Sequence, residues 1–200
     1  MIGILDYAAY VPIHRLSRAE IGRAWGRPMV PPYAVGERAV ANFDEDSVTM
    51  ATEAGLRCLA QSEGQRPDGL YFASTTAPDH ERQAATVIAA AADLPREIRT
   101  ADFAGTLRAG TSALLAALDA VKGGPAWSVL VAAADCRLAE PGQTAEALIG
   151  DGAAAFLVTV FLRDVPANVV RLQGVFFQSG MDSFAARAWS SFALAFLYMV

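Results

Sequence analysis

The sequence predicts an α/β fold, a mixed, mainly parallel five-stranded sheet with helices against its faces. Two observations predict it. Short apolar runs alternate with longer helical patterns in the order β, α, β, α, β, α, β, β, with an extra short helix after the first strand. Strands that alternate with helices in this way imply a parallel-rich sheet covered on both faces. The 200 residues are 54% hydrophobic and only 18% charged, with a mean hydropathy of +0.29, which suits a deeply buried sheet with apolar surface left for a partner.

The elements follow in order. GILDYAAYVP is a β-prone run that Pro12 ends. LSRAEIGRAWG has a capping signal at Ser17 and helical spacing through Ile21 and Trp25. Pro28, Pro31, Pro32 and Gly36 make Arg27 to Asn42 a loop. In DEDSVTMATEAGLRCLAQS the acidic residues crowd a first helical turn, where the dipole favours them, and Val48, Ala51, Leu56 and Leu59 recur at helical spacing. GLYFAS is a buried strand, ERQAATVIAAAADL a small-residue helix stopped by Pro95, and IRTADFAG a strand. AGTSALLAALDAVKGG is a helix from about Ala109 to Lys122, closed by glycines and buried against the sheet. Its small residues suit close approach, as between two sheets. WSVLVAAAD is a strand, PGQTAEALIGDG a turn with one helical turn, and GAAAFLVTVFL the last strand. Residues 1–162 therefore read as one unit. Residues 163–200 allow one more strand and a helix, but their apolar residues follow no single period.

Several functions are excluded at this stage. A net charge of -5 leaves no basic stripe for nucleic acid. MIGILDYAAYVP has no basic segment before its apolar residues, and AWSSFALAFLYMV is shorter than the roughly 20 residues of a membrane helix. Cys58 and Cys136 form no disulfide framework, and with His14 and His80 they make no metal-ligand cluster. The expectation is a cytoplasmic protein with no metal, no tightly bound cofactor and no membrane contact. GDGAAAF lacks both the G-x-G-x-x-G spacing and a following helix, which disfavours a dinucleotide site.

The pieces GILDYAAYVPIHRL, GERAV with DEDSVTMATEA, LYFASTTAP, RAGTSALLAALDAV, AAAD, EPGQTAEA and GDGAAAFLV, in this order and spacing, resemble the N-terminal half of the 3-hydroxy-3-methylglutaryl-CoA synthases. These are close to ketoacyl synthase III within the thiolase superfamily, and the resemblance covers about residues 2 to 160. It implies a thiolase-like βαβαβαββ half and acyl transfer from a coenzyme A thioester. In that family a cysteine at the bend before the buried helix takes the acyl group, its pKa lowered by the helix N-terminus. A glutamate base then prepares the second thioester for carbon–carbon bond formation. Aligned on Ala109-Gly110-Thr111, the cysteine position is Leu107, with Arg108 after it, and the glutamate position is Thr75. The resemblance places a hydroxyl-bearing residue of the family's acyl pocket near Leu148, and Glu146 just before it matches the family. The family's histidine and asparagine belong to a second half. Residues 163–200 then read as a truncated or divergent start of that half.

Leucine offers no nucleophile, and threonine is no base near neutral pH. Cys136, after a strand end, is weighed as a replacement nucleophile, but no histidine is placed to activate it, and a small semi-buried apolar role fits better. Cys58 reads as core, His80 as a loop histidine rather than a base, and Asp44 to Ser47 as a helix cap rather than a metal site. Arg108 fits either an anion such as a coenzyme A phosphate or a neighbouring carboxylate. Two functions stay open: an acyltransferase working with atypical residues, and a non-catalytic subunit that scaffolds a thiolase-fold partner. The partners implied are an acyl-CoA or acyl carrier thioester and a second copy or thiolase-fold partner. The second follows because Ala113, Leu114, Leu115, Ala117, Leu118 and Val121 wrap most of one helix.

Overall fold

The computed structural model describes residues 2–26, 35–62, 64–79 and 81–161. The strand and helix expected after residue 162 and the reading of His80 lie outside the described residues.

Five strands form one sheet in the order β1-β7-β6-β4-β5: β1 (Ile2–Tyr10), β4 (Gly69–Ala73), β5 (Arg99–Phe103), β6 (Ser128–Asp135) and β7 (Gly152–Val160). β4 pairs parallel with both β5 and β6, whereas β7 pairs antiparallel with β6 and β1. Four strands thus run one way and β7 alone runs the other, which makes the sheet mixed and mainly parallel. β6 takes the central position and is buried along its whole length.

Alternation along the strands builds two cores. Leu70, Phe72, Leu130, Ala132, Ala134, Ala153, Ala155 and Leu157 face α2 (Ser47–Gln61) and α3 (Ala84–Ala91). Ala73, Val129, Val131, Ala133 and Val158 face α4 (Ala109–Lys122). α2 starts with a capping box, in which the Asp46 carboxylate accepts from Thr49 N at 2.7 Å and the Thr49 hydroxyl accepts from Asp46 N at 2.7 Å. Gly55 lets α2 lie close to the sheet, since a Cβ there would sit 3.4 Å from Leu130. α3 starts three residues later than its sequence pattern suggests. Asp102, at the end of β5, accepts from Ala84 N and Ala85 N at 2.7 and 2.8 Å and sets the start. α4 has the limits read from the sequence. It is buried against the sheet through Ala109, Gly110, Ala113, Ala117 and Val121, and its opposite side is open.

One local expectation is corrected. The segment taken as loop up to Asn42 contains β3 (Glu37–Val40), which pairs antiparallel with β2 (His14–Ser17). α1 (Arg18–Ala24) follows β2 directly, and Ser17 is its N-cap residue without a side-chain capping bond. This pair is fixed to α5 (Thr144–Leu148): Arg38 Nη1 donates to Glu146 O at 2.7 Å and Arg18 Nε to Ala147 O at 2.9 Å. Two arginines thereby occupy carbonyls that so short a helix leaves free.

Candidate functional site: the strand-end rim

The register brings five strand ends together. Tyr10 pairs with Ala153, Asp135 with Gly152, and Ala73 with both Ala133 and Phe103. The loops leaving β4, β5 and β6 and the loop entering β7 therefore share one rim. In parallel α/β sheets this is where side chains from separate strands can converge on a ligand. Thr75 follows β4 and Leu107 follows β5, and Ser74 N donates to Phe103 O at 3.0 Å between the two loops. The two positions singled out by resemblance are thus brought to adjacent strand ends.

At the bend before α4, Gly105 has φ +76°, a conformation that favours glycine. Thr106 supplies the local cap: its hydroxyl accepts from Arg108 N at 3.3 Å and its carbonyl from Ala109 N at 3.1 Å. Leu107 is 52% exposed. The backbone presents the residue at a helix N-terminus, as a nucleophile would need, but the side chain is hydrocarbon. Arg108 is exposed and makes no ion pair with a described residue.

The Thr75 position is occupied by a polar network. Asp135, 8% exposed at the end of β6, accepts four hydrogen bonds at Oδ1: from Thr75 N at 2.7 Å, Thr75 Oγ1 at 3.0 Å, Ser74 Oγ at 3.1 Å and Thr76 Oγ1 at 3.2 Å. Arg137 completes it. Its Nε donates to Thr75 Oγ1 at 3.1 Å, and its Nη2 faces Asp135 Oδ2 at 3.3 Å as an ion pair. A carboxylate this buried is costly unless it is paired; here every hydrogen bond converges on Oδ1, and Oδ2 has the Arg137 ion pair but no hydrogen bond among the described residues. The Thr75 hydroxyl donates to Asp135 and accepts from Arg137, so it is engaged on both sides. Thr76 extends the network, its hydroxyl accepting from Cys136 N at 2.9 Å and its carbonyl from Ser47 Oγ at 3.0 Å, which ties in the start of α2.

Cys136 lies half-buried on the same rim. Burial, first, and then the charge and hydrogen bonding of Asp151 push its thiol up to about 11, with Arg38 opposing. A thiol there is protonated near neutral pH, the reverse of an activated nucleophile. Cys58 is fully buried on α2 and is core, as expected. Glu146 is spent on structure, accepting from Gly142 N at 2.7 Å and Trp25 Nε1 at 2.9 Å. Leu148, at the end of α5, is 45% exposed and brings no hydroxyl. Asp46 caps α2 with Thr49, Ser47 is its first residue, and among the described residues no group of three or more His, Cys, Asp or Glu could hold a metal ion. No helix among the described residues is long and apolar enough to cross a membrane.

Asp135 and Arg137 were not singled out from the sequence. One signal was present: Asp135 is a charge closing a strand that is otherwise apolar. Apart from Arg137, two positions on, its partners lie about sixty positions away, so most of the network has no local signature.

No protein-family model matches the chain. The chain is 36% identical over 159 residues to the hydroxymethylglutaryl-CoA synthase of Pyrococcus furiosus, covering 78% of this chain and 45% of that protein. It is 33% identical over 163 residues to the one of Methanocella arvoryzae, covering 79% and 47%. The chain thus spans about half the length of the curated relatives it matches. Among solved structures, MvaS in complex with 3-hydroxy-3-methylglutaryl coenzyme A superposes with a TM-score of 0.73 at 28% identity, over 79% of this chain and 40% of that one. A 3-oxoacyl-(acyl-carrier-protein) synthase III superposes with a TM-score of 0.74 at 20% identity, over 82% and 51%, which speaks for the fold alone. The chain is a homologue of the hydroxymethylglutaryl-CoA synthases that carries one half of the thiolase-like fold.

Proposed function

We propose that this chain is a non-condensing member of the coenzyme A-thioester condensing family, a thiolase-like half that scaffolds a thiolase-fold partner rather than making carbon–carbon bonds itself. One observation carries the reading. The rim residue at the family's base position, Thr75, is hydrogen-bonded on both sides within the Asp135–Arg137 network. The adjoining bend agrees, because Leu107 can neither attack a thioester nor carry an acyl group. Acyl-CoA or acyl carrier thioesters are the substrates of this reading only through the partner. The test is a condensation assay of the purified chain with acetyl-CoA and a second acyl thioester, following release of the coenzyme A thiol. The reading expects release no faster than the uncatalysed rate.

An acyltransferase working with other residues is the second reading. What favours it is Cys136, a thiol on the same rim beside the buried carboxylate of Asp151. A protonated thiol must lose its proton to attack, so this reading needs Asp151 to accept that proton during transfer.

A further inference from the structure

The proposed function leaves the Cys136 thiol idle, and the strand ladder fixes what faces it. Asp135 pairs with Gly152 in the antiparallel β6–β7 ladder, so one step further Cys136 stands opposite Asp151. Side chains directly opposed in this way share a face, with Cβ atoms about 4.5–5.5 Å apart. Alternation puts both on the α2 side of the sheet, the side of Ala134 and Ala153, and Cys136 packs there. Asp151 is pinned in place. Its N–H donates to Ala39 O at 3.1 Å, and its Oδ2 accepts from Ala41 N at 2.8 Å. A Cβ on Gly150 would sit 3.4 Å from Ala39 N, so the two backbones lie in contact. The β2–β3 ribbon thus holds Asp151 both by its backbone and by one carboxylate oxygen. The other oxygen, Oδ1, has no hydrogen bond among the described residues, although Asp151 is only 6% exposed.

A thiol attacks electrophiles as its thiolate. A thiolate at Cys136 would set a second negative charge across the ladder from a buried carboxylate that cannot swing away. Two further charges act on the thiol: Asp46, at the start of α2, against its ionisation, and Arg38, of β3, in favour of it. On the opposite face of the sheet, Asp135 is paired with Arg137. We infer that Asp151, pinned by the β2–β3 ribbon, is an electrostatic brake that keeps Cys136 from reacting with electrophiles, thioesters among them. Ribbon and thiol are thereby linked, because Asp151 stays opposite Cys136 only while Ala39 and Ala41 hold it. The inference rests on the reading of the rim as unreactive. It gives Asp151 the reverse of a general base's role, since a base would quicken the thiol and the brake slows it.

Alkylation of the full chain by iodoacetamide at a series of mildly alkaline pH values tests it, with Cys136 and Cys58 read separately by peptide mapping. In that step sulfur displaces iodide, a carbon–sulfur bond forms and the thiol proton passes to solvent. Cys136 of the unmodified chain should react at least about thirtyfold more slowly than the same residue in the urea-unfolded chain. That comparison needs no variant. Asp151→Asn removes the charge and keeps an oxygen for Ala41 N, and far-UV circular dichroism checks its fold. Its Cys136 should react about tenfold faster than that of the unmodified chain, the equivalent of one unit of thiol pKa. Thiolate absorbance, taken as Asp151→Asn minus Asp151→Asn/Cys136→Ser, should rise over the same pH range. That signal reads ionisation whatever the access to the thiol. An Asp151→Asn rate that is unchanged or slower overturns the proposal. So does a faster rate with no gain in thiolate absorbance, which marks loosened access alone. So does a Cys136 that reacts as fast in the folded unmodified chain as in the unfolded one. Release of the coenzyme A thiol in the condensation assay bears on the non-condensing reading and is scored apart from these rates.

Discussion

Thr75 and Asp135 are joined twice: the backbone N–H and the hydroxyl of Thr75 both donate to one carboxylate oxygen of Asp135, at 2.7 and 3.0 Å. Through this pair the loop after β4 is locked to the end of β6, and Arg137 closes the lock from the other side. Asp135→Ala would leave three hydroxyls and an amide without their acceptor and the Arg137 guanidinium without its ion-pair partner. It should cost about 3–5 kcal/mol, the usual loss when one partner of a buried charge pair is removed. Asp135→Asn keeps an acceptor oxygen and should cost about half of that. Urea unfolding midpoints at constant m-value measure both.

The rim should resist restoration of the family's chemistry. Leu107→Cys places a thiol at the start of α4, and it should take up an acetyl group slowly from acetyl-CoA without turning over. Adding Thr75→Glu should not produce condensation. A glutamate there would meet the Asp135 carboxylate and lose the bonds of the Thr75 hydroxyl to Asp135 and Arg137. The double variant should therefore be less stable than Leu107→Cys alone by about 1–3 kcal/mol. Single-turnover acyl transfer and urea unfolding, read on the same samples, separate the two effects.

Much of this architecture was legible, and what was missed has physical reasons. The limits of α4 follow from a continuous Ala/Leu pattern that ends at two glycines, and the mixed, mainly parallel sheet follows from strands alternating with helices. β3 was missed because ERAV is only four residues long, carries two charges and follows a proline-rich stretch; its partner strand, HRLS, is no more strand-like. The antiparallel entry of β7 between β1 and β6 depends on pairing at long range, which local pattern does not encode. At the site, Leu107 and Thr75 were found through resemblance alone. Asp135 and Arg137 were overlooked because their role exists only once β4 and β6 lie side by side.

Alkaline pH should destabilise the fold through Cys58. Burial, with a smaller push from the Asp6 charge, raises its thiol from 9.0 to about 12, while a backbone hydrogen bond from Leu157 opposes this. Below the unfolded value the thiol is protonated in both states and costs nothing. As pH rises from 9.0 toward 12 the unfolded chain ionises it and the folded chain does not. Stability should then fall by about 1.4 kcal/mol per pH unit. Cys136 adds to the loss over the lower part of that window, since its thiol is raised to about 11. Cys58→Ala should be less stable at neutral pH, from the cavity it leaves, yet show a shallower alkaline decline. Urea unfolding at a series of pH values checks both signs.

The central claim is that this rim holds no group able to take an acyl chain from coenzyme A. Intact-protein mass after incubation with acetyl-CoA near neutral pH tests it most directly, with peptide mapping of any adduct. Leu107 has no acceptor atom, the Thr75 hydroxyl is engaged on both sides, and the Cys136 thiol is protonated, with a thiolate fraction roughly a hundredfold below that of an ordinary thiol. The account predicts an unchanged mass for the unmodified chain and a gain of one acetyl group for Leu107→Cys. A stable acetyl group on Cys136 of the unmodified chain, abolished by Cys136→Ser and slowed by Asp151→Asn, would contradict it.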